Sequence, residues 1–224
     1  MSIKHSAMGL CVALILGACS IGKPIPQPTT YIIEPTVPVT STSARRADTL
    51  RMGSVRVTAA FAGNALVYRV DDVQYVSDPY HAFLADPAAM LGTKMADWLD
   101  HAGPFKAVAQ PGSTQSAKSA PLVLEATVTE LYGDTRRGTP PAAVITVQFA
   151  LMDTSAPHAL IAYERTISRR VEIEQATPDA LVRGYDKALG EILTQVDSDL
   201  AALPVPAVPA VPQAQAALST STSS

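Results

Sequence analysis

The sequence predicts an α+β domain: a mainly antiparallel sheet with two helices packed on one face, as a two-layer sandwich. Three observations predict it. Asp86-Pro87 and Thr177-Pro178-Asp179 are strong helix starts, each followed by an apolar stripe at helical spacing. Several runs rich in β-branched residues alternate with period two, most clearly residues 121–131 (PLVLEATVTEL) and 142–152 (AAVITVQFALM). The 18 prolines of the 224-residue chain cluster at its two ends, which leaves one central stretch to build a core.

The elements follow in order. Residues 50–57 (LRMGSVRV) read as a first strand. Residues 65–77 (ALVYRVDDVQYVS) hold two β-rich runs around Asp71-Asp72, the pattern of a hairpin. Asp-Asp is not a favoured two-residue turn, so a longer loop is expected. Asp86 caps a helix with Pro87 at its first position, and Leu91, Met95, Trp98 and Ala102 recur on one face until Gly103-Pro104 stops it. A short strand over 105–109 and a polar loop over 112–119 come next. In the strand over 142–152, Ile145, Val147, Phe149 and Leu151 share one face, with Thr146 and Gln148 opposite. Residues 133–141 form a turn-rich loop, and residues 160–173 a third strand with a break expected near Arg169-Arg170. Thr177 caps the second helix, Asp179 complements its dipole, and Leu181, Tyr185, Leu189, Ile192, Val196 and Leu200 make its buried stripe.

The ends have a different character. Residues 7–16 (AMGLCVALIL) are apolar and follow the polar Lys4-His5. Such a run spans about 15 Å as a helix, whereas a bilayer core takes roughly 20 residues, so it reads as a secretory signal peptide over residues 1–18. Leu16-Gly17-Ala18-Cys19 resembles the bacterial lipobox, which implies a diacylglyceryl group on the Cys19 thiol, cleavage before Cys19, and acylation of the new amine by a fatty acid such as palmitate. Residues 19–47, rich in Pro, Thr and Ser, read as a lipidated tether, about 100 Å long at a full stretch of roughly 3.3 Å per residue. Within it, Thr30-Tyr31-Ile32-Ile33 is an apolar island suited to a short edge strand. Residues 203–224 repeat Pro-Val and Pro-Ala units and end in Ser and Thr, a composition that builds no core and is expected to be disordered. The folded domain is therefore expected over residues 48–202.

Composition and motifs narrow the chemistry. A net charge of −3 gives no electrostatic footprint for nucleic acid. Of the 2 cysteines, Cys11 leaves with the signal and Cys19 becomes a thioether, so disulfides and thiolate metal sites are excluded from the mature chain. No GxSxG, HExxH, phosphate-binding loop or dinucleotide fingerprint occurs. His81, His101 and His158 lie far apart in sequence, outside metal-ligand spacing. Asp71-Asp72 fits a solvated turn better than an acid/base pair, and Arg45-Arg46, Arg136-Arg137 and Arg169-Arg170 fit solvated loops and edges. The chain is expected to be no enzyme and to need no cofactor beyond the covalent diacylglyceryl and N-acyl groups on Cys19. Tyr68, Arg69, Tyr75, Tyr80 and Phe83 gather around the hairpin and the approach to the first helix. Core packing accounts for some of these aromatics; any that face outward suit a protein interface, where Tyr is enriched.

Several features together resemble the ABC-type transport auxiliary lipoprotein family, the group containing the paraquat-inducible protein C-like lipoproteins. They are the lipobox, the early Thr30-Tyr31-Ile32-Ile33, Leu50 with Val55-Arg56-Val57, the block Leu66-Val67-Tyr68-Arg69, Val73 with Tyr75, and Tyr80 with Phe83 and Pro87. Thr58 stands where that family commonly has Pro, and Phe83 about where it has Trp. The resemblance implies a non-catalytic accessory of an envelope ABC permease and ATPase complex. That system would work with an MCE-type substrate-binding protein and move phospholipid or another hydrophobic molecule. By analogy with enterobacterial lipoprotein sorting, Ser20 rather than Asp after Cys19 favours a periplasm-facing place on the inner leaflet of the outer membrane. The alternative reading is a structural or assembly lipoprotein of an outer-membrane machine.

Overall fold

The computed structural model describes residues 27–38, 48–113, 120–155 and 158–203. The signal peptide, the lipobox residues Leu16, Gly17, Ala18 and Cys19, the tether apart from 27–38, Arg45-Arg46 and the tail from 204 onward lie outside the described residues. The described residues form eight strands and two helices. In chain order these are β1 (Thr29–Tyr31), β2 (Thr49–Val57), β3 (Ala65–Arg69), β4 (Tyr75–Phe83), α1 (Pro87–Ala102), β5 (Ala107–Ala109), β6 (Leu122–Asp134), β7 (Ala142–Asp153), β8 (Leu160–Glu172) and α2 (Pro178–Ala201).

Both helices start where local chemistry dictates. The Asp86 carboxylate accepts the Ala89 N–H and the Thr177 hydroxyl accepts the Ala180 N–H, each just ahead of a proline that needs no partner for its nitrogen. Gly103 ends α1 by donating its N–H to the Leu99 carbonyl; any side chain there would collide with that same oxygen.

The sheet is mixed, not mainly antiparallel as expected. Strand β6 is its spine. Along one edge it pairs antiparallel with β7, and β7 pairs antiparallel with β8. Along its other edge β2 and then β3 follow one another, both parallel to β6. β5 joins β2 in parallel, β4 joins β3 antiparallel, and β1 joins β4 in parallel. The expectation assumed that successive strands pair with one another. Instead α1 carries the chain back across the sheet from β4, and β5 enters beside β2, parallel to it and opposite in direction to β4.

One continuous core lies between sheet and helices. α1 covers β2 and β5, α2 covers β7 and β8, and the two helices meet. The α1 stripe (Leu91, Met95, Trp98, Ala102), the α2 stripe and the β7 face Ile145, Val147, Phe149 and Leu151 are all buried in it. Helix α2 lies unusually close to β7 because position 184 is glycine: a Cβ there would stand 2.6 Å from the Ala143 Cβ. On the sheet face away from the helices, Arg56 reaches Glu125, Gln148 reaches Glu164, and Thr146 bonds to both Glu130 and Ser168. β8 runs through Arg169-Arg170 without the expected break; its register shift lies near the other end, opposite Leu151 and Met152.

Part of the stretch read as tether is docked on the domain. β1 lies at the sheet edge against β4, as the apolar island predicts. Beyond it the chain crosses both helices as a strap. Ile33 is fully buried in the core and Pro35 is buried. The Glu34 N–H donates to Asp186 of α2 at 2.6 Å, while its carboxylate meets Lys94 of α1 at 2.6 Å. The Thr36 carbonyl accepts the Trp98 indole N–H.

Candidate functional site

The hairpin β3–β4 has the longer turn that Asp71-Asp72 implied. The Gln74 carbonyl accepts the N–H groups of Val70 and Asp71, and Arg69 ties down the turn by donating to the carbonyls of Asp71 and Asp72. An ionic lock holds the turn to the rest of the sheet. Arg136 in the β6–β7 loop donates to Asp72 at 3.0 Å and makes a two-pronged contact with Asp134, at 3.0 Å through Nε and 2.9 Å through Nη2. Arg170 of β8 approaches the same Asp134 carboxylate at 3.4 Å. Asp134 is only 2% exposed. The Arg136 guanidinium holds its carboxyl down at about 2, against the cost of burial, with Arg170 adding to the effect. The same contacts push the Arg136 guanidinium up. A cleft of about 530 Å³ between the turn and the β6–β7 loop is lined by Asp71, Asp72, Gln74, Arg136 and Arg137.

Behind this lock an aromatic cluster sits on the sheet. The Tyr75 ring meets Phe61 edge-on at 6.0 Å and Tyr132 edge-on at 5.4 Å, while Phe61 stacks on Tyr132 at 5.9 Å. The Arg69 guanidinium lies 5.8 Å from the Tyr75 ring centre, within cation–π range. Tyr75 is nevertheless 44% exposed, and it stands beside exposed Val73 and Val76. The result is an apolar surface whose rings are held in place from beneath, which suits a binding face because little freedom is lost on contact.

The second half of β4 bulges. Val67 pairs with Ser77 and Ala65 with Ala82, so four residues, Asp78 to His81, stand against Leu66 alone. Asp78 organises the bulge: one carboxylate oxygen accepts the N–H groups of Tyr80 and His81, and the other meets the His81 ring at 2.8 Å. Pro79 suits it because it lacks an N–H that would need a partner. Tyr80 is left 56% exposed.

The five residues expected at a partner surface therefore separate. Tyr75, Arg69 and Tyr80 are accessible or partly so. Phe83 is not: it is 3% exposed and packs 6.3 Å from Tyr185 in the core, because it lies beyond the bulge, where β4 turns its side chain inward. Tyr68 is half-buried against the core, and burial, with the nearby Asp78 and Tyr31, pushes its hydroxyl up to about 12. The sequence reading missed Phe61, Tyr132 and Asp134. Tyr132 had a signal, since it alternates with the core residue Leu131 and so faces the other side of β6. His81 bonds to Asp78, and His101 lies on the Asp97 carbonyl in the last turn of α1. Among the described residues no group of three or more His, Cys, Asp or Glu is placed to hold a metal ion. No described helix is long and apolar enough to cross a membrane.

The family model for the ABC-type transport auxiliary lipoprotein component matches residues 31–197, from β1 into the last turns of α2. The chain belongs to this family. The matched span includes the strap, the hairpin, the lock and the aromatic cluster, and the family's description as a transport auxiliary component points away from enzymatic chemistry. No curated protein matches the chain in sequence. Among solved structures it is similar to XCC0632 from Xanthomonas campestris, described as a DUF330 protein, at 17% identity and TM-score 0.65, over 77% of this chain and 95% of that one. A second, described as an uncharacterized protein, aligns at 17% identity and TM-score 0.58, over 78% of this chain and 99% of the other. At that identity these two share the fold.

Proposed function

We propose that this auxiliary lipoprotein is a non-catalytic docking subunit, anchored through acyl groups on Cys19 to the inner leaflet of the outer membrane. Its partner is the MCE-type substrate-binding protein of an envelope ABC permease and ATPase system that carries phospholipid or another hydrophobic molecule. The observation that carries this reading is the hairpin surface. Val73, Tyr75 and Val76 are exposed at 91%, 44% and 43%, on a turn fixed by the Arg136 lock, within a domain that belongs to a transport auxiliary family. Rigidly supported Tyr surrounded by small apolar contacts is the composition of an interface hot spot. Two or more acyl chains give a stable attachment, so the protein's task is placement rather than turnover.

Affinity purification of the tagged protein from detergent-solubilised envelopes tests this. An MCE protein and its permease are expected in the eluate. A β-barrel protein in their place contradicts the reading. Cys19→Ala is expected to leave the precursor uncleaved and out of the outer membrane; mature, outer-membrane-anchored Cys19→Ala protein contradicts the anchor.

A further inference from the structure

We propose that the patch formed by Ile32, Tyr80 and Leu84 rests on the surface of the bilayer that holds the anchor. The proposal rests on the reading of Cys19 as the lipidated residue. It follows from where the tether stops being a tether. Thr29 is already paired in the sheet beside His81, and residues 31–36 are fixed by the Tyr31 carbonyl on the Leu84 N–H at 2.8 Å, by Glu34 and by Thr36. Only Cys19 to Pro28 separates the anchor from the first paired residue, a length of at most about 33 Å at roughly 3.3 Å per residue. The domain is held close to the membrane, on the side where β1 begins.

That edge carries three exposed large apolar or aromatic side chains. Ile32 follows Tyr31 in the β1–β4 register and falls beside Leu84, while Tyr80 comes one residue before His81, the partner of Thr29. These three side chains are 41%, 58% and 56% exposed. Of the acids close to them in sequence, Asp78 is turned into the bulge, where its two oxygens are taken by the Tyr80 and His81 N–H groups and the His81 ring, Glu34 is paired with Lys94, and Asp86 caps α1. Two aliphatic side chains with a tyrosine match the interfacial layer of a bilayer, where a ring sits at headgroup depth with its hydroxyl in water. Three residues would bind a membrane weakly from solution. On a short tether the contact is intramolecular, so a high effective concentration makes a weak patch sufficient. Tyr75 lies five residues away on β4, which leaves the hairpin surface clear for a protein partner.

The test uses the full lipidated protein in vesicles of phosphatidylethanolamine and phosphatidylglycerol. The mature chain has no other thiol, so an environment-sensitive dye on Tyr80→Cys reports that position alone; Leu84→Cys is the second site and Glu164→Cys, on β8, the reference. Dyes at 80 and 84 are expected to shift to the blue and to be quenched severalfold more by headgroup-region spin-labelled lipid than the dye at 164. Inserting twenty Gly/Ser residues after Ser20 is expected to reduce that difference. Dyes at 80 and 84 as water-exposed as the one at 164, on protein that stays with the vesicles, overturn this proposal alone. Protein that leaves the vesicles and lacks acyl mass on Cys19 overturns the anchor reading and this proposal with it.

Discussion

The carbonyl oxygen of Thr36 accepts a hydrogen bond from the Trp98 indole nitrogen at 3.1 Å, so a residue from the Pro-rich N-terminal stretch is fixed to α1. With Ile33 in the core and Glu34 bridging α1 and α2, the strap is a structural part of the domain.

The first prediction separates strap from tether by two adjacent isoleucines. Ile33 is fully buried and Ile32 is 41% exposed. Ile33→Ala is expected to cost about 2–5 kcal/mol, as removal of a large core side chain does, whereas Ile32→Ala stays within about 0.5 kcal/mol. Urea unfolding of the two variants in a non-lipidated Cys19→Ser background measures both. Equal small losses would show the strap undocked.

The second concerns pH. Asp134 is held at about 2, below the ordinary 3.8 of an aspartate. Because its folded value is depressed, its contribution is fully present above 3.8 and is lost as pH falls through about 2. A shift of this size corresponds to at most about 2.5 kcal/mol. The stability gap between the native chain and Asp134→Asn is expected to be constant from pH 7 to about 5 and to close between about pH 4 and 2. Unfolding curves over that range check it, and a gap at pH 2 as large as that at pH 7 would locate the Asp134 contribution elsewhere.

The third tests the close approach of α2 to β7. Gly184→Ala would put two Cβ atoms 2.6 Å apart at Ala143 and bring the new one 2.9 Å from Ile173. It is expected to cost about 1–3 kcal/mol, as overpacking does. Adding Ala143→Gly removes the closer clash, so the double variant should be more stable than the two single losses added together. Strict additivity in thermal unfolding would contradict the packing described.

Legibility in the sequence followed the range of the interaction. Both helix starts and both buried stripes could be read because a cap, a proline and a spacing of three or four residues act within a few positions. The hairpin and the edge strand at Thr29–Tyr31 were legible for the same reason. The mixed sheet was not, since β2 and β6 lie more than sixty residues apart and nothing local at Val55 specifies Ala126 as its partner. Asp134 reads as a loop residue until Arg136 and Arg170 converge on it. Phe83 reads like Tyr75, eight residues before it and so of the same parity along β4, and the bulge from Asp78 to His81 is what puts Phe83 inside and leaves Tyr75 outside.

The central claim is that the supported hairpin surface is where the partner docks, and a photo-crosslinker installed at Tyr75 in living cells tests it most directly. Glu164, on the polar outer face of the sheet, is the comparison site. A crosslink from position 75 to an MCE-type protein is expected, lost in Val73→Asp, with no product from position 164. Crosslinks to that partner from position 164 and none from position 75 would contradict the claim.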